Sequence, residues 1–401
     1  MRPITRWLVP VAVAATIAGG SAASSAMAGA AVSLPDRTPR QVLAAVAASR
    51  VQALSGTITT HADLGLPALP SIGGHGRAST ADPQALLTRF LAGDNTIRVW
   101  LDGPQHQRAQ LVDPFAELDV VHDGSQLWTY DSHTGSVRKT TLPAHPAAKA
   151  APAKPNGTMP HDAAAPDLRS MTPAEVADRV LAAVDPTTTV TVGASQRVAD
   201  RDAYTLLITP KTDATLVGHV AIAVDAASGL PLRVTVWARG HADPALETGF
   251  TTVDLSRPSA SVFGFSPPKS ATVQPLPLPS GQDPSPGSPP GGTGAAEPTV
   301  HGSGWATIVE LPADQALAAL GGPLSSTGQP STGRSATTQQ ARPGARSGSA
   351  SGAALLDQLT TPVAGGGRAL RTALLTVLVT ADGRVLAGSV PLPALQAVAA
   401  R

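Results

Sequence analysis

The chain has 401 residues, no cysteine and a formal net charge of +1, from 29 Lys and Arg against 28 Asp and Glu. The missing cysteines exclude disulfides, thiolate nucleophiles and the acylated cysteine of a lipoprotein, and the near-neutral charge gives no field that attracts nucleic acid. Aromatic residues make up only 3% of the sequence while Gly and Pro number 38 each, so we expect long linkers and two domains of ordinary size.

The first 28 residues have the pattern of a secretory signal peptide. Two arginines precede the apolar run 7–19, and a small-x-small cleavage site ends at Ala28. An uncleaved membrane anchor is the alternative, but Pro10 and a Gly-Gly pair weaken a spanning helix. We therefore predict an extracytoplasmic protein, secreted or associated with the cell envelope, that is cleaved near Ala28 and is not a lipoprotein.

The pattern from residue 36 to residue 275 predicts one α+β domain. A helix is expected at 38–54, and short alternating strands separated by Asp-Gly and Ser-His-Thr-Gly turns then predict an antiparallel meander. The Pro- and Ala-rich stretch 143–168 is expected to be a flexible insert. A second helix is expected at 172–184, followed by further strands, the last of them VFGFSPP.

Asp131, Ser132 and His133 are adjacent, and together they have the residue types of a hydrolytic triad. A triad requires these groups to converge from separate elements, with the histidine between the other two. Neighbours at the tip of a hairpin do not meet that requirement. We therefore predict a solvated turn and treat a hydrolase as the least favoured function.

The acidic pairs Glu117/Asp119 and Asp200/Asp202 are also weak candidates for acid–base chemistry. Residues i and i+2 of a strand merely share a face, so we expect these carboxylates to be solvated. The ten histidines lack the spacing of metal ligands. The prediction is that the protein is not an enzyme and binds no metal and no cofactor.

Four stretches of the domain resemble the successive hairpins of the LolA-like family: GSQLWTYDSHTGSVRK, RDAYTLLITPK, IAVDAASGLPLRVTV and FTTVDLSRPSASVFGFSPPKSATV. The most specific are D-x-x-S-G-L-P-L-R at 225–233 and F-x-F-x-P-P-K at 263–269. The family includes lipoprotein carriers and RseB-type regulators of sigma factors, and the chain looks most like exported members from high-GC Gram-positive bacteria. The resemblance implies an incomplete antiparallel β-barrel with plugging helices, whose apolar inner face accepts acyl chains.

Apolar residues that alternate along these strands are the candidates for lining such a cavity. Four aromatic residues of this domain, Trp100, Trp128, Tyr130 and Trp237, could either line the cavity or belong to the hydrophobic core, because both roles need a large apolar side chain. Of these four, only Trp128 and Tyr130 are among the predicted lining residues. The predicted lining residues are Ile97, Val99, Leu101, Trp128, Tyr130, Val220, Ile222, Val224, Val234 and Val236.

A Pro- and Gly-rich linker at 276–298 precedes a smaller predicted module at 299–401. The module is expected to contain a strand carrying Trp305, a disordered stretch at 325–352, a hairpin around Ala381-Asp382-Gly383 and a last helix. These pieces predict a small α+β C-terminal module.

Two functions follow as expectations. The first is an extracytoplasmic binding protein for an apolar ligand, a carrier or chaperone whose partners are lipid or lipoprotein acyl chains. The alternative is an RseB-like sensor, in which the smaller module contacts a membrane anti-sigma factor or another envelope protein. The two-module layout with a long linker favours the alternative, and neither function involves nucleic acid.

Overall fold

The computed structural model describes residues 32–65, 94–112, 117–142, 172–184, 186–269, 271–276, 298–312, 360–364 and 366–401. They belong to two compact units, Met1–Ser285 and Pro286–Arg401. The predicted signal peptide, the 143–168 insert and the 325–352 stretch lie outside the described residues, as does the 276–298 linker except at its two ends.

The described part of the first unit forms two helices and a twelve-stranded open sheet. The strand order is β12-β6-β5-β4-β3-β2-β1-β11-β10-β9-β8-β7, so β12 and β7 are the two edges. Neighbours pair antiparallel except β12 with β6, which are parallel. The predicted fold class, α+β with a large antiparallel sheet that does not close, is confirmed. The elements are α1 (Pro39–Ala48), β1 (Ala53–Ala62), β2 (Asn95–Asp102), β3 (His106–Val112), β4 (Glu117–Asp123), β5 (Gln126–Asp131), β6 (Ser136–Thr141), α2 (Pro173–Val184), β7 (Thr188–Val198), β8 (Arg201–Pro210), β9 (Val217–Asp225), β10 (Pro231–Ala238), β11 (Pro244–Asp254) and β12 (Thr272–Pro275).

Both helices begin at capping boxes that the sequence contains. Thr38 caps α1 with Gln41, and in α2 the Thr172 backbone N–H donates to Glu175 Oε2 at 2.6 Å. The prediction that the first helix reaches residue 54 is wrong. The helix ends at Ala48 and β1 begins at Ala53, because Leu54 is buried in a cluster formed by the strands.

The helix α1 packs on one face of the sheet. Its Val42 is fully buried among Tyr204, Leu206 and Val224. The two helices contact each other, and Arg40 Nη2 donates to Asp178 Oδ2 at 2.7 Å. Burial of Val42 therefore fixes α1 over β8 and β9.

Cross-strand partners share a face, so the registers divide the side chains between two faces of the sheet. We call the one that carries α1 the helix face and the opposite one the second face. We call a row of side chains that are paired from strand to strand a rung. One rung on the helix face crosses seven strands and consists of Asn95, Thr60, Thr248, Val234, Ile222, Leu206 and Val192.

The motif 225–233 forms the hairpin between β9 and β10. The Asp225 carboxylate accepts from Arg201 Nε at 2.9 Å, from Arg201 Nη2 at 2.8 Å and from the Ser228 backbone N–H at 2.7 Å. Burial alone would raise the pKa of Asp225, but these hydrogen bonds outweigh it and hold the pKa below its usual value. Gly229 has φ +72°, and a Cβ there would lie 2.2 Å from the Ala45 carbonyl oxygen of α1.

The closing motif 263–269 packs across the second face instead of forming the predicted strand. Residues Ala260–Val262 make a 3₁₀ turn, and the chain after them is irregular. The Phe265 ring lies 5.5 Å from Trp128 and 6.0 Å from Tyr130, while the buried Phe263 lies 5.7 Å from His106. Two consecutive prolines in the motif lack the N–H groups that a strand would need.

The described part of the second unit forms an antiparallel sheet of six strands and a helix, as the predicted small module requires. The predicted hairpin at Ala381-Asp382-Gly383 and the last helix are confirmed, but Trp305 lies in a 3₁₀ turn, Gly304–Ala306, that precedes the strand. The strand order is β13-β14-β18-β17-β16-β15. The elements are β13 (Thr299–His301), β14 (Ile308–Pro312), β15 (Thr361–Pro362), β16 (Arg368–Arg371), β17 (Thr376–Val379), β18 (Arg384–Gly388) and α3 (Leu392–Ala399).

The helix α3 covers one face of this smaller sheet. Leu395 of the helix is fully buried in a cluster with Ile308, Leu378 and Leu386. Arg384 holds the end of the helix, because its Nη2 donates to the Ala399 carbonyl oxygen at 2.7 Å. The smaller unit thus has a core of its own.

Candidate functional site

Eight of the ten predicted lining residues lie on the helix face of the large sheet. On β2, the residues Ile97, Val99 and Leu101 pair with Ile58, Gly56 and Leu54 of β1. These three partners lie an even number of residues from Thr60 along β1, so they share its face of the sheet. Of the eight, Ile97 and Val224 are buried and the others are half-buried. A ligand-lining role for them stays a prediction. The eight are Ile97, Val99, Leu101, Val220, Ile222, Val224, Val234 and Val236.

Trp128 and Tyr130 lie on the second face, so they do not share a surface with the other eight. Tyr130 pairs with Asp119, and Trp128 pairs with Val121, both on that face. Their rings pack against Phe265 of the closing motif, and Lys139 Nζ lies 4.4 Å above the Trp128 ring. Packing within the fold therefore accounts for both aromatic residues.

Two buried hydroxyls interrupt the apolar helix face. Thr60 on β1 and Thr248 on β11 are direct partners, and they are 2% and 4% exposed. Neither Oγ1 has a hydrogen-bond partner within the part of the chain that the structure describes. Sequence reasoning missed these residues, although alternation with Ile58 and Phe250 places both on the apolar side.

The helix face of four adjacent strands, β2, β1, β11 and β10, carries no charged side chain from these strands. Every Asp, Glu, Lys and Arg of these strands lies on the second face, where Arg233 Nε is 3.6 Å from Glu247 Oε1. An apolar group on the helix face therefore meets aliphatic side chains and neutral polar groups. The charged residues on the second face are Arg98, Asp102, Arg233, Glu247 and Asp254.

Asp119 contradicts the expectation that the acidic pairs are solvated. It is 2% exposed on the second face, and its Oδ2 accepts from Arg108 Nη2 at 2.5 Å. Burial raises the pKa of Asp119 above its usual value, although Arg108 acts in the opposite direction. Arg108 Nη1 also donates to the Val262 carbonyl oxygen at 3.0 Å, so the pair connects the 3₁₀ turn just before the closing motif to β3 and β4.

The Asp131-Ser132-His133 sequence forms a turn and does not converge as a triad. The buried Asp131 accepts from the His133 backbone N–H at 2.9 Å, and Ser132 Oγ accepts from the Glu117 backbone N–H at 2.7 Å. His133 and Ser132 are exposed. The Asp131 and Ser132 side chains and the His133 backbone N–H therefore shape the hairpin between β5 and β6.

Other chemical groups within the described ranges do not assemble into a site. No cluster of three or more metal-ligating side chains occurs there, and no described helix is long and apolar enough to cross a membrane. Trp237 stacks on His219 with ring centroids 4.3 Å apart, and Arg108 lies over Trp100. The helix face is thus the strongest candidate surface.

No protein-family model and no curated protein matches the sequence. Among solved structures, the chain is similar to the MucA/MucB complex of Pseudomonas aeruginosa, with 14% identity, coverage of 90% of this chain and 96% of that chain, and a TM-score of 0.39. A LolA superfamily protein from Nitrosomonas europaea shares 9% identity over 57% of this chain and 99% of that chain, with a TM-score of 0.20. A DUF1329 family protein from Desulfovibrio piger shares 12% identity over 57% and 98%, also with a TM-score of 0.20. TM-scores of this size assign no function to this chain.

Proposed function

We propose that the protein is an extracytoplasmic binding protein that holds the acyl chains of lipids or lipoproteins on its helix face. The observation that carries this proposal is the largely apolar, uncharged helix face of β1, β2, β10 and β11. A bound acyl chain gains about 25 cal/mol for each Å² of apolar surface removed from water. The likeness of 225–233 and 263–269 to motifs of the LolA-like family supports the same ligand class.

Binding and release of an acyl chain need no bond to be made or broken, so we propose a carrier or chaperone and not an enzyme. Export by the predicted signal peptide would bring the protein to the compartment where lipoproteins reside. The helix face then shields an acyl chain from water during its transfer.

Val236→Asp tests the proposal directly. Val236 pairs with Val220 and Leu246 on the helix face and is half-buried outside the described core clusters. A carboxylate there meets apolar neighbours without a cation, so we expect affinity for a fluorescent acyl ester to fall at least about tenfold. Fluorescence titration of the full chain measures this change.

The matched control is Thr191→Asp, which introduces the same charge at an exposed position of β7. We expect the control to bind the ester as the wild type does, and both variants to melt close to the wild type. A wild-type protein that ignores the acyl ester would rule out the proposed function.

A second candidate function, an RseB-like regulator, is favoured by the smaller sheet. The face opposite α3 carries an apolar rung that runs through β13, β14, β18, β17 and β16, and Val300 on it is 60% exposed. Such a face fits an apolar segment of a protein partner. The rung consists of Val300, Val309, Ala387, Val377 and Leu370.

For this candidate we predict that Val309→Lys abolishes capture of the extracytoplasmic segment of a membrane anti-sigma factor from the same genome. The lysine would place a charge in the middle of the apolar rung. Arg371→Lys, at an exposed position of β16, is the control that keeps the surface charge unchanged. Capture that survives Val309→Lys would remove this rung from the interface.

A further inference from the structure

The two buried hydroxyls on the helix face are not explained by folding. Thr60 and Thr248 are 2% and 4% exposed, and neither Oγ1 has a partner in the described structure. Leaving a buried hydroxyl without a hydrogen bond destabilises a fold, and valine has nearly the same volume without that cost. The two threonines therefore hold polar groups at positions where packing alone favours valine.

The surroundings of the hydroxyls indicate what they bind. The rung on one side contains Ile97, Ile58 and Phe250, and the rung on the other side contains Leu246 and Val236. The charged residues of β1, β2, β10 and β11 all lie on the second face. A carboxylate or phosphate on the helix face would find no cation on these strands, which makes its burial unfavourable.

A single uncharged oxygen satisfies both hydroxyls. Cβ atoms of direct cross-strand partners lie about 5 Å apart, so one acceptor between them is within reach of both side chains. A carbonyl oxygen has two lone pairs and accepts two hydrogen bonds. The hydroxyl hydrogens rotate freely and are able to donate to it.

We propose that Thr60 and Thr248 form a subsite for the uncharged carbonyl of an acyl ester or acyl amide, while the acyl chain lies along Val234, Val236 and Val220. The proposal rests on the proposed function, because it names the head group of the ligand that the helix face holds. Since both hydroxyls are buried, the ligand reaches them only by displacing the groups that pack over them.

The test compares three probes that carry the same fluorescent acyl chain: a methyl ester, an N-methylamide and a free carboxylate. At neutral pH we expect the full chain to bind the ester and the amide about tenfold more tightly than the carboxylate. The two uncharged probes share the carbonyl, so a difference in affinity between them would distinguish an ester ligand from an amide ligand. The double variant Thr60→Val/Thr248→Val should lose about tenfold in affinity for the ester and the amide, and little for the carboxylate.

Two variants separate the hydroxyls from the shape of the side chain. Thr60→Ser/Thr248→Ser keeps both hydroxyls and should retain the preference for uncharged heads. Thr59→Val alters the neighbouring exposed threonine on the second face and should behave as the wild type. The double valine variant should melt at or above the wild-type temperature, because it removes two unpaired hydroxyls.

The affinities of the three probes decide whether the subsite exists and whether the protein binds acyl chains at all. Equal affinity of the wild type for carboxylate and ester overturns the subsite, and this result remains decisive even if the valine variant does not fold. An unchanged preference in a folded valine variant also overturns it, and the hydroxyls then bind an internal water only. In both cases the proposed function stands, since acyl chains still bind. Failure of all three probes to bind contradicts the proposed function and the subsite together.

Discussion

Gly229→Ala should lower the free energy of unfolding of the first unit by about 3 kcal/mol. Gly229 has φ +72°, where a side chain strains the backbone, and the new Cβ would lie 2.2 Å from the Ala45 carbonyl oxygen. The clash involves backbone on both sides, so no rotamer relieves it. Either α1 shifts away from the sheet or the hairpin between β9 and β10 opens.

Urea unfolding followed by tryptophan fluorescence measures this effect, because Trp100, Trp128 and Trp237 all belong to the first unit. Gly240→Ala is the matched control. Gly240 has φ +79°, but nothing lies within 4 Å of its added Cβ, so only the backbone strain remains, about 1 kcal/mol. Equal losses in the two variants would show that the hairpin does not press against α1.

The same hairpin shows why sequence patterns predicted much of the fold. Within a strand, alternation identifies the residues that share a face, and Asp-Gly or Ser-Gly turns mark the hairpins. Strands β3 to β6 and β7 to β11 were predicted on these grounds and are present. These signals are local, so the sequence alone was sufficient.

Features that depend on distant contacts were predicted less well. Trp128 and Tyr130 alternate with Leu127 and Thr129, but which pair faces α1 depends on the registers of β2 to β5. The apolar cover of the two aromatic rings comes from Phe265, far later in the chain. Alternation within β5 contains no information about that contact.

The predictions of where α1 ends and of a solvated Asp119 were wrong for a related reason. Leu54 continues the helical spacing of apolar residues, yet it is buried in the cluster of the strands, and this tertiary packing overrides the helical pattern. Asp119 is acceptable in the interior because Arg108, on the neighbouring strand, donates two hydrogen bonds to it. In contrast, the face of Thr60 and Thr248 follows from alternation alone.

Ile222→Asp should lower the free energy of unfolding by about 4 kcal/mol at neutral pH. Ile222 lies on the helix face and packs against the cluster of Val42, Leu206 and Val224 under α1. A carboxylate there would be placed among the apolar side chains of this cluster, away from water. Val236→Asp lies on the same face outside this cluster and should lose acyl binding while the fold persists.

The pH dependence identifies the cause of this loss. Burial raises the folded-state pKa of the introduced carboxyl above its unfolded value of about 4. The protonated form is therefore favoured by folding, and its contribution is fully present below about pH 4 and is lost as pH rises through the folded pKa. Ile222→Asn, which has a similar shape and no charge, should show no such dependence. Melting curves should thus separate the two variants widely at neutral pH and bring them together near pH 4, whereas a constant gap would mean that water reaches Ile222 beneath α1.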